Sequence, residues 1–120
     1  MQADSAFLQG IFSFHGGGLT QPSPLIDGGL FYTVPGGKYG QPTYFRAGNS
    51  SDALICVTLL REGVPMRYFP IGAKSDTHVA LAVIEDLAPG TRIELQIAAP
   101  SGVEGTVIID LGMVLTNYDY

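Results

Sequence analysis

The stretch Ala53-Leu-Ile-Cys-Val-Thr-Leu-Leu-Arg-Glu-Gly-Val-Pro-Met-Arg-Tyr-Phe69 holds two short apolar runs separated by Arg61-Glu62-Gly63. Runs of this length, rich in β-branched and aromatic residues and punctuated by glycine, are strands, not helices. Gly63 can adopt the left-handed conformation that a three-residue hairpin loop requires. A β-hairpin from Ala53–Leu60 to Val64–Phe69 is therefore expected. Successive strand residues point to opposite faces. Ile55, Val57 and Leu59 thus share one face and Leu54 and Cys56 the other, with Thr58 the one polar residue from Leu54 to Leu60. Both faces of this strand should be dry.

The same grammar extends outward in both directions. Sixteen glycines and eight prolines divide the chain, and no ten-residue segment carries a 3.6-residue apolar period. Strands are expected at Ala6–Phe14, Leu30–Val34, Thr43–Ala47, Thr77–Ile84, Thr91–Ile97 and Thr106–Leu115. Ala88-Pro89-Gly90-Thr91 has Pro and Gly where a type II turn wants them. Thr91–Ile97 alternates cleanly, with Ile93, Leu95 and Ile97 on one face and Arg92, Glu94 and Gln96 on the other. Leu19–Gly29 is the longest irregular segment, read as a surface excursion. Val79–Ile84, like Leu54–Leu60, is apolar on both sides. The expected fold class is all-β, a two-sheet antiparallel jelly-roll or β-sandwich, with residues 1–120 forming a single domain.

A sandwich has one core between its sheets, so an apolar outer face must be covered by the Leu19–Gly29 excursion or by another subunit. Composition favours the subunit: 46% of residues are hydrophobic and 14% charged, about half the usual charged share. The net charge of −5 argues against nucleic acid, since Lys38, Arg46, Arg61, Arg67, Lys74 and Arg92 are scattered singly. The single Cys56 excludes an intrachain disulfide and reads as a small core residue. No apolar run approaches the ~20 residues of a membrane span, and the N-terminus lacks the pattern of a signal peptide. A soluble protein without an encoded export signal is expected.

Three segments, Gly29-Leu-Phe-Tyr-Thr-Val-Pro-Gly36, Ala53 to Pro65 and Leu87 to Ile97, together with the closing Asp110-Leu-Gly-Met-Val-Leu115, follow one another in a familiar order. Over roughly residues 29–116 the chain resembles the trimeric jelly-roll superfamily of the complement first-component globular head and tumour necrosis factor. That resemblance implies a tight homotrimer in which each subunit buries one sheet against its neighbours.

Little in the sequence points to catalytic or metal chemistry. His15 and His78 have no second metal ligand at a helical or hairpin spacing, and His78 beside Asp76 lacks a nucleophile elbow. Glu85 and Asp86 are adjacent on a strand and point apart. Gly16-Gly17-Gly18 and Gly36-Gly37-Lys38 precede no helix that could present amides to a phosphate. Asn49-Ser50-Ser51 matches a glycosylation sequon. No cofactor and no metal are expected.

The leading expectation is a non-enzymatic structural or assembly module, such as a virion decoration, fibre-head or tail protein, or a comparable surface component. It would form a homotrimer through Leu54, Ile55, Val57, Leu59, Leu81 and Val83 and join a larger capsid or surface lattice. The alternative is a carbohydrate- or protein-binding module presenting Tyr39, Tyr44, Tyr68 and Tyr118. A small hydrolase or metal-dependent enzyme stands third.

Overall fold

A computed structural model describes residues 3–81 and 86–117, with only the backbone of residue 3. Among these residues there are nine strands and no helix: β1 (Ala3–His15), β2 (Ser23–Pro24), β3 (Leu30–Thr33), β4 (Lys38–Asn49), β5 (Ile55–Arg61), β6 (Val64–Ile71), β7 (Asp76–Ala80), β8 (Arg92–Ala98) and β9 (Glu104–Asn117). They form an antiparallel two-sheet sandwich. The front sheet has the order β1-β9-β4-β7. In the back sheet, β2 and β3 lie one after the other along β8, which is followed by β5 and β6. Apart from the pairs β2–β3 and β5–β6, every connection crosses from one sheet to the other.

The alternating pattern decides which side chains meet between the sheets. From the front sheet come Leu8, Phe14, Phe45, Val107, Ile109, Leu111 and Met113; from the back sheet come Ile55, Val57, Leu59, Phe69, Ile93, Leu95 and Ile97, all buried in one cluster. The clean alternation of β8 is reproduced, and its expected turn forms, with Thr91 N–H bonded to the Ala88 carbonyl at 3.0 Å and Gly90 at φ 85°. Removing these side chains from water is the dominant favourable contribution to folding.

Four expectations change on contact with the structure. The hairpin between β5 and β6 turns through two residues, not three: Arg61 pairs with Val64, and Glu62 and Gly63 take φ 51° and 78°. Two successive positive φ values are the signature of a type I′ turn. Glu62 tolerates this because its N–H donates to the Arg92 carbonyl at 2.9 Å while its carboxylate accepts the Arg92 N–H at 2.8 Å.

Secondly, β4 runs through Gly40 and Pro42 instead of starting at Thr43. A bulge at Thr43 accommodates the proline and shifts the inward set from Gly40 and Pro42 to Phe45 and Ala47, hiding the period. Thirdly, the Leu19–Gly29 excursion lengthens the back-sheet edge through β2 and sends Leu25 into the core. Fourthly, Cys56 is not a core residue. It lies partly exposed on the outer face of β5, opposite Pro70 and Ala98.

Asn49, at the end of β4, is 5% exposed and ties the sheets together. Its Nδ2 donates to the carbonyls of Ala53, Ile71 and Gly72 at 2.9, 3.3 and 3.0 Å, and its Oδ1 accepts from the Ser51 N–H and hydroxyl at 2.9 and 2.8 Å. The sequon asparagine is a structural bracket whose amide is already engaged.

Candidate functional site

Cross-strand register places the outward side chains of the front sheet in rows. One row is Phe7, Gly112, Tyr44 and Ala80; the next is Gln9, Asp110, Arg46 and His78; the third is Ile11, Ile108, Gly48 and Asp76. A β-sheet brings these residues together although they come from four distant segments.

At the centre, Asp110 organises its neighbours. The Tyr44 hydroxyl donates to both carboxylate oxygens at 3.2 Å, and Arg46 Nη2 donates to Oδ2 at 2.6 Å. The Arg46 guanidinium also lies 5.4 Å from the Tyr44 ring centroid, and His78 meets that ring edge-on at 6.2 Å. Gly112 makes the arrangement feasible, because a Cβ there would overlap the Tyr44 ring, which lies over it. Burial of the ring and the adjoining Asp110 carboxylate raise the Tyr44 pKa. The same carboxylate raises that of Arg46. The Asp110 carboxylate accepts from both neighbours and is only 21% exposed, whereas the Arg46 side chain stays 57% exposed.

Large apolar side chains flank this polar centre. Phe7 is 51% exposed, Ile11 69% and Ile108 55%, and Ile11 and Ile108 face each other directly across the β1–β9 ladder. Gly48 contributes no side chain between Ile108 and Asp76, leaving an open groove of about 480 Å³ lined by Arg46, Thr77, His78 and Asp110. Covering exposed aliphatic and aromatic side chains of this size contributes on the order of 1–2 kcal/mol each.

The residues singled out in the sequence are distributed differently. Ile55, Val57 and Leu59 are each 0% exposed inside the sandwich, so the intrachain core uses the face assigned to a subunit contact. Leu54, on the opposite side, is 48% exposed. Leu81 packs partly buried against the core, and Val83 lies outside the described residues.

The four tyrosines do not share a surface: Tyr39 and Tyr44 belong to the outer face of the front sheet, Tyr68 to that of the back sheet, and Tyr118 lies outside the described residues. His15 Nδ1 meets Glu104 Oε1 at 2.9 Å at the end of the β1–β9 ladder. Gln41 Nε2 donates to Asp86 Oδ1 at 2.6 Å, while Glu85 lies outside the described residues. Among the described residues, no group of three or more His, Cys, Asp or Glu side chains is placed to hold a metal ion, and no helix is long and apolar enough to cross a membrane.

The sequence matches no family model and no curated protein. The fold does have solved counterparts. A chain in the structure of infectious bursal disease virus, Gt strain, superposes with a TM-score of 0.53 over 98% of this chain at 13% identity. This chain covers 33% of that one, about a third of its length. A chain of the Gx strain overlaps 95% of this chain and 36% of its own, with a TM-score of 0.38 and 11% identity. The first superposition establishes a shared sandwich fold.

Proposed function

We propose that this chain is a non-enzymatic structural module, one jelly-roll domain that assembles as a homotrimer through the outer face of its front sheet and serves in a larger protein shell. A virion decoration, fibre-head or tail component fits this description. The observation that carries the reading is a set of exposed apolar side chains, the facing pair Ile11 and Ile108 on one side and Phe7 on the other, flanking the Tyr44, Arg46 and Asp110 cluster on a broad four-stranded face. Interfaces combine apolar anchors with hydrogen-bonded polar groups in this way, whereas exposed apolar side chains of this size on an isolated monomer are a liability.

Three further features support the reading. The order β1-β9-β4-β7 facing β3-β8-β5-β6, with connections that cross between sheets, is in keeping with a double-sheet jelly roll. A trimer is the assembly that the sequence resemblance to the complement and tumour necrosis factor jelly rolls implies. The fold shared with a chain of a virus structure is in keeping with a shell component.

Light scattering at micromolar concentration tests the reading. The expected mass is three times the 12.7 kDa chain. Ile108→Lys should leave a folded monomer, since Ile108 projects from the sheet. A wild-type monomer would overturn the proposal.

A further inference from the structure

The edges of the two sheets are unequally protected. Exposed edges are commonly kept from pairing by shortness, proline, charge or bulges. The β6 edge carries Pro65, Arg67 and Pro70; β7 has five residues; β2 has two residues, one of them Pro24. In contrast, β1 is thirteen residues long and contains no proline, lysine or arginine. Among the described residues no strand pairs with its outer edge.

We infer that β1 pairs with β1 of a second copy, antiparallel about a two-fold axis at Gln9, joining two front sheets into one. The residues on its outer face, Ser5, Phe7, Gln9, Ile11 and Ser13, have the same chemical order in either direction. With Gln9 opposite Gln9, Phe7 faces Ile11 of the second copy and Ser5 faces Ser13. On the inner side, Ala6 faces Phe12 and Leu8 faces Gly10, a small residue against a large one each time. Moving the axis by one residue shifts each partner by two and sets Phe7 opposite Gln9 or Ser13, so apolar side chains meet polar ones. Cross-strand matching of this kind stabilises a pairing and fixes its register.

The area buried sets the strength of the contact. At ~3.4 Å per residue, β1 is about 44 Å long, and one sheet layer about 10 Å thick gives roughly 440 Å² per copy. Standard interfaces bury about 800 Å² per partner. The pairing is therefore weak alone and effective when another contact already holds copies close together. It uses the outer edge of β1 instead of the outer face of the front sheet, so its register test reads separately from that of the face contact.

Disulfide trapping in a Cys56→Ser background tests the register. Gln9→Cys should form a covalent dimer under mild oxidation, faster than a control thiol at exposed Asp52 (Asp52→Cys). Ser5→Cys and Ser13→Cys should each stay monomeric under non-reducing electrophoresis, yet crosslink when mixed. Gln9→Cys reacting no faster than the control, or Ser13→Cys crosslinking to itself, would overturn the inference. The wild-type mass separates the two proposals. A trimer without Gln9→Cys trapping leaves the face contact and removes the edge contact, whereas trapping with a monomeric wild type does the reverse.

Discussion

The rings of Phe45 and Phe69 stack across the gap between the two sheets, with centroids 4.0 Å apart and planes 9° from parallel. Phe45 belongs to an interior strand of the front sheet and Phe69 to the edge strand β6 of the back sheet, so the pair closes the sandwich beside a strand that has a sheet neighbour on one side only. With exposures of 0% and 4%, neither ring has an alternative partner in water. Phe69→Ala should lower unfolding stability by about 3–5 kcal/mol. Urea titration should show a reduced midpoint at unchanged slope.

Replacing Asn49 should be nearly as damaging as removing a core ring, although the residue is polar. Asn49→Ala strips the Ala53, Ile71 and Gly72 carbonyls of a shared donor and Ser51 of its acceptor. Leaving buried polar groups unpaired costs about 1–3 kcal/mol each, partly relieved by entering water. Thermal unfolding should report a loss of about 2–3 kcal/mol, and Asn49→Asp should not restore the wild type, because a carboxylate cannot donate.

Gly112→Ala should be destabilising because its methyl group displaces the Tyr44 ring. In a Tyr44→Ala background the same substitution should cost much less. A double-mutant cycle in denaturant measures this coupling, expected at about 1–2 kcal/mol. Additive costs would mean that the ring does not govern the position.

The shifted Tyr44 pKa gives the alkaline limb of the stability curve a defined sign. A pKa raised in the folded state means that the native chain holds the phenolic proton more tightly than the unfolded chain does. This contribution is complete below about pH 10, the ordinary tyrosine range, and is lost as pH rises through the folded value. Tyr44→Phe should therefore flatten the fall in stability above about pH 10. An absorbance titration of the native protein should lose, in the same variant, one ionisation that lies above the ordinary tyrosine range.

Lysine substitutions should distinguish the two faces of the sandwich. Ile55→Lys places a charge where exposure is 0% and should unfold the chain, whereas Leu54→Lys, at a residue 48% exposed, should leave it folded. Circular dichroism of the soluble fractions checks both outcomes.

What could be read from the residues follows from how locally each feature is encoded. The strand at Arg92–Ala98 declared itself through Ile93, Leu95 and Ile97, because one wet face and one dry face leave a period of two. The apolar run of β5 misled for the converse reason. Thr58 and Leu60 are buried on the outer face, where the cross-strand neighbours of Thr58 are Tyr68 and Gln96. An apolar outer position was thus not evidence of a subunit contact. The extent of β4 was hidden by Pro42 and by the change of phase at Thr43. The Tyr44, Arg46, His78 and Asp110 cluster had no local signature, since it exists only once β4, β7 and β9 lie side by side.

The ladder between β1 and β9 has a mechanical consequence. Its thirteen cross-strand pairs run from Ala3 opposite Thr116 to His15 opposite Glu104, so the first and last described strands present their outer ends at the same corner. Tension applied between Ala3 and Thr116 would load those pairs one after another, peeling the strands apart instead of shearing the whole ladder at once. A tether attached at both points would draw the sandwich open at low force. If both tethers pulled on β9, at Glu104 and Asn117, the load would run along a strand held by neighbours on both sides, and the same chain would resist.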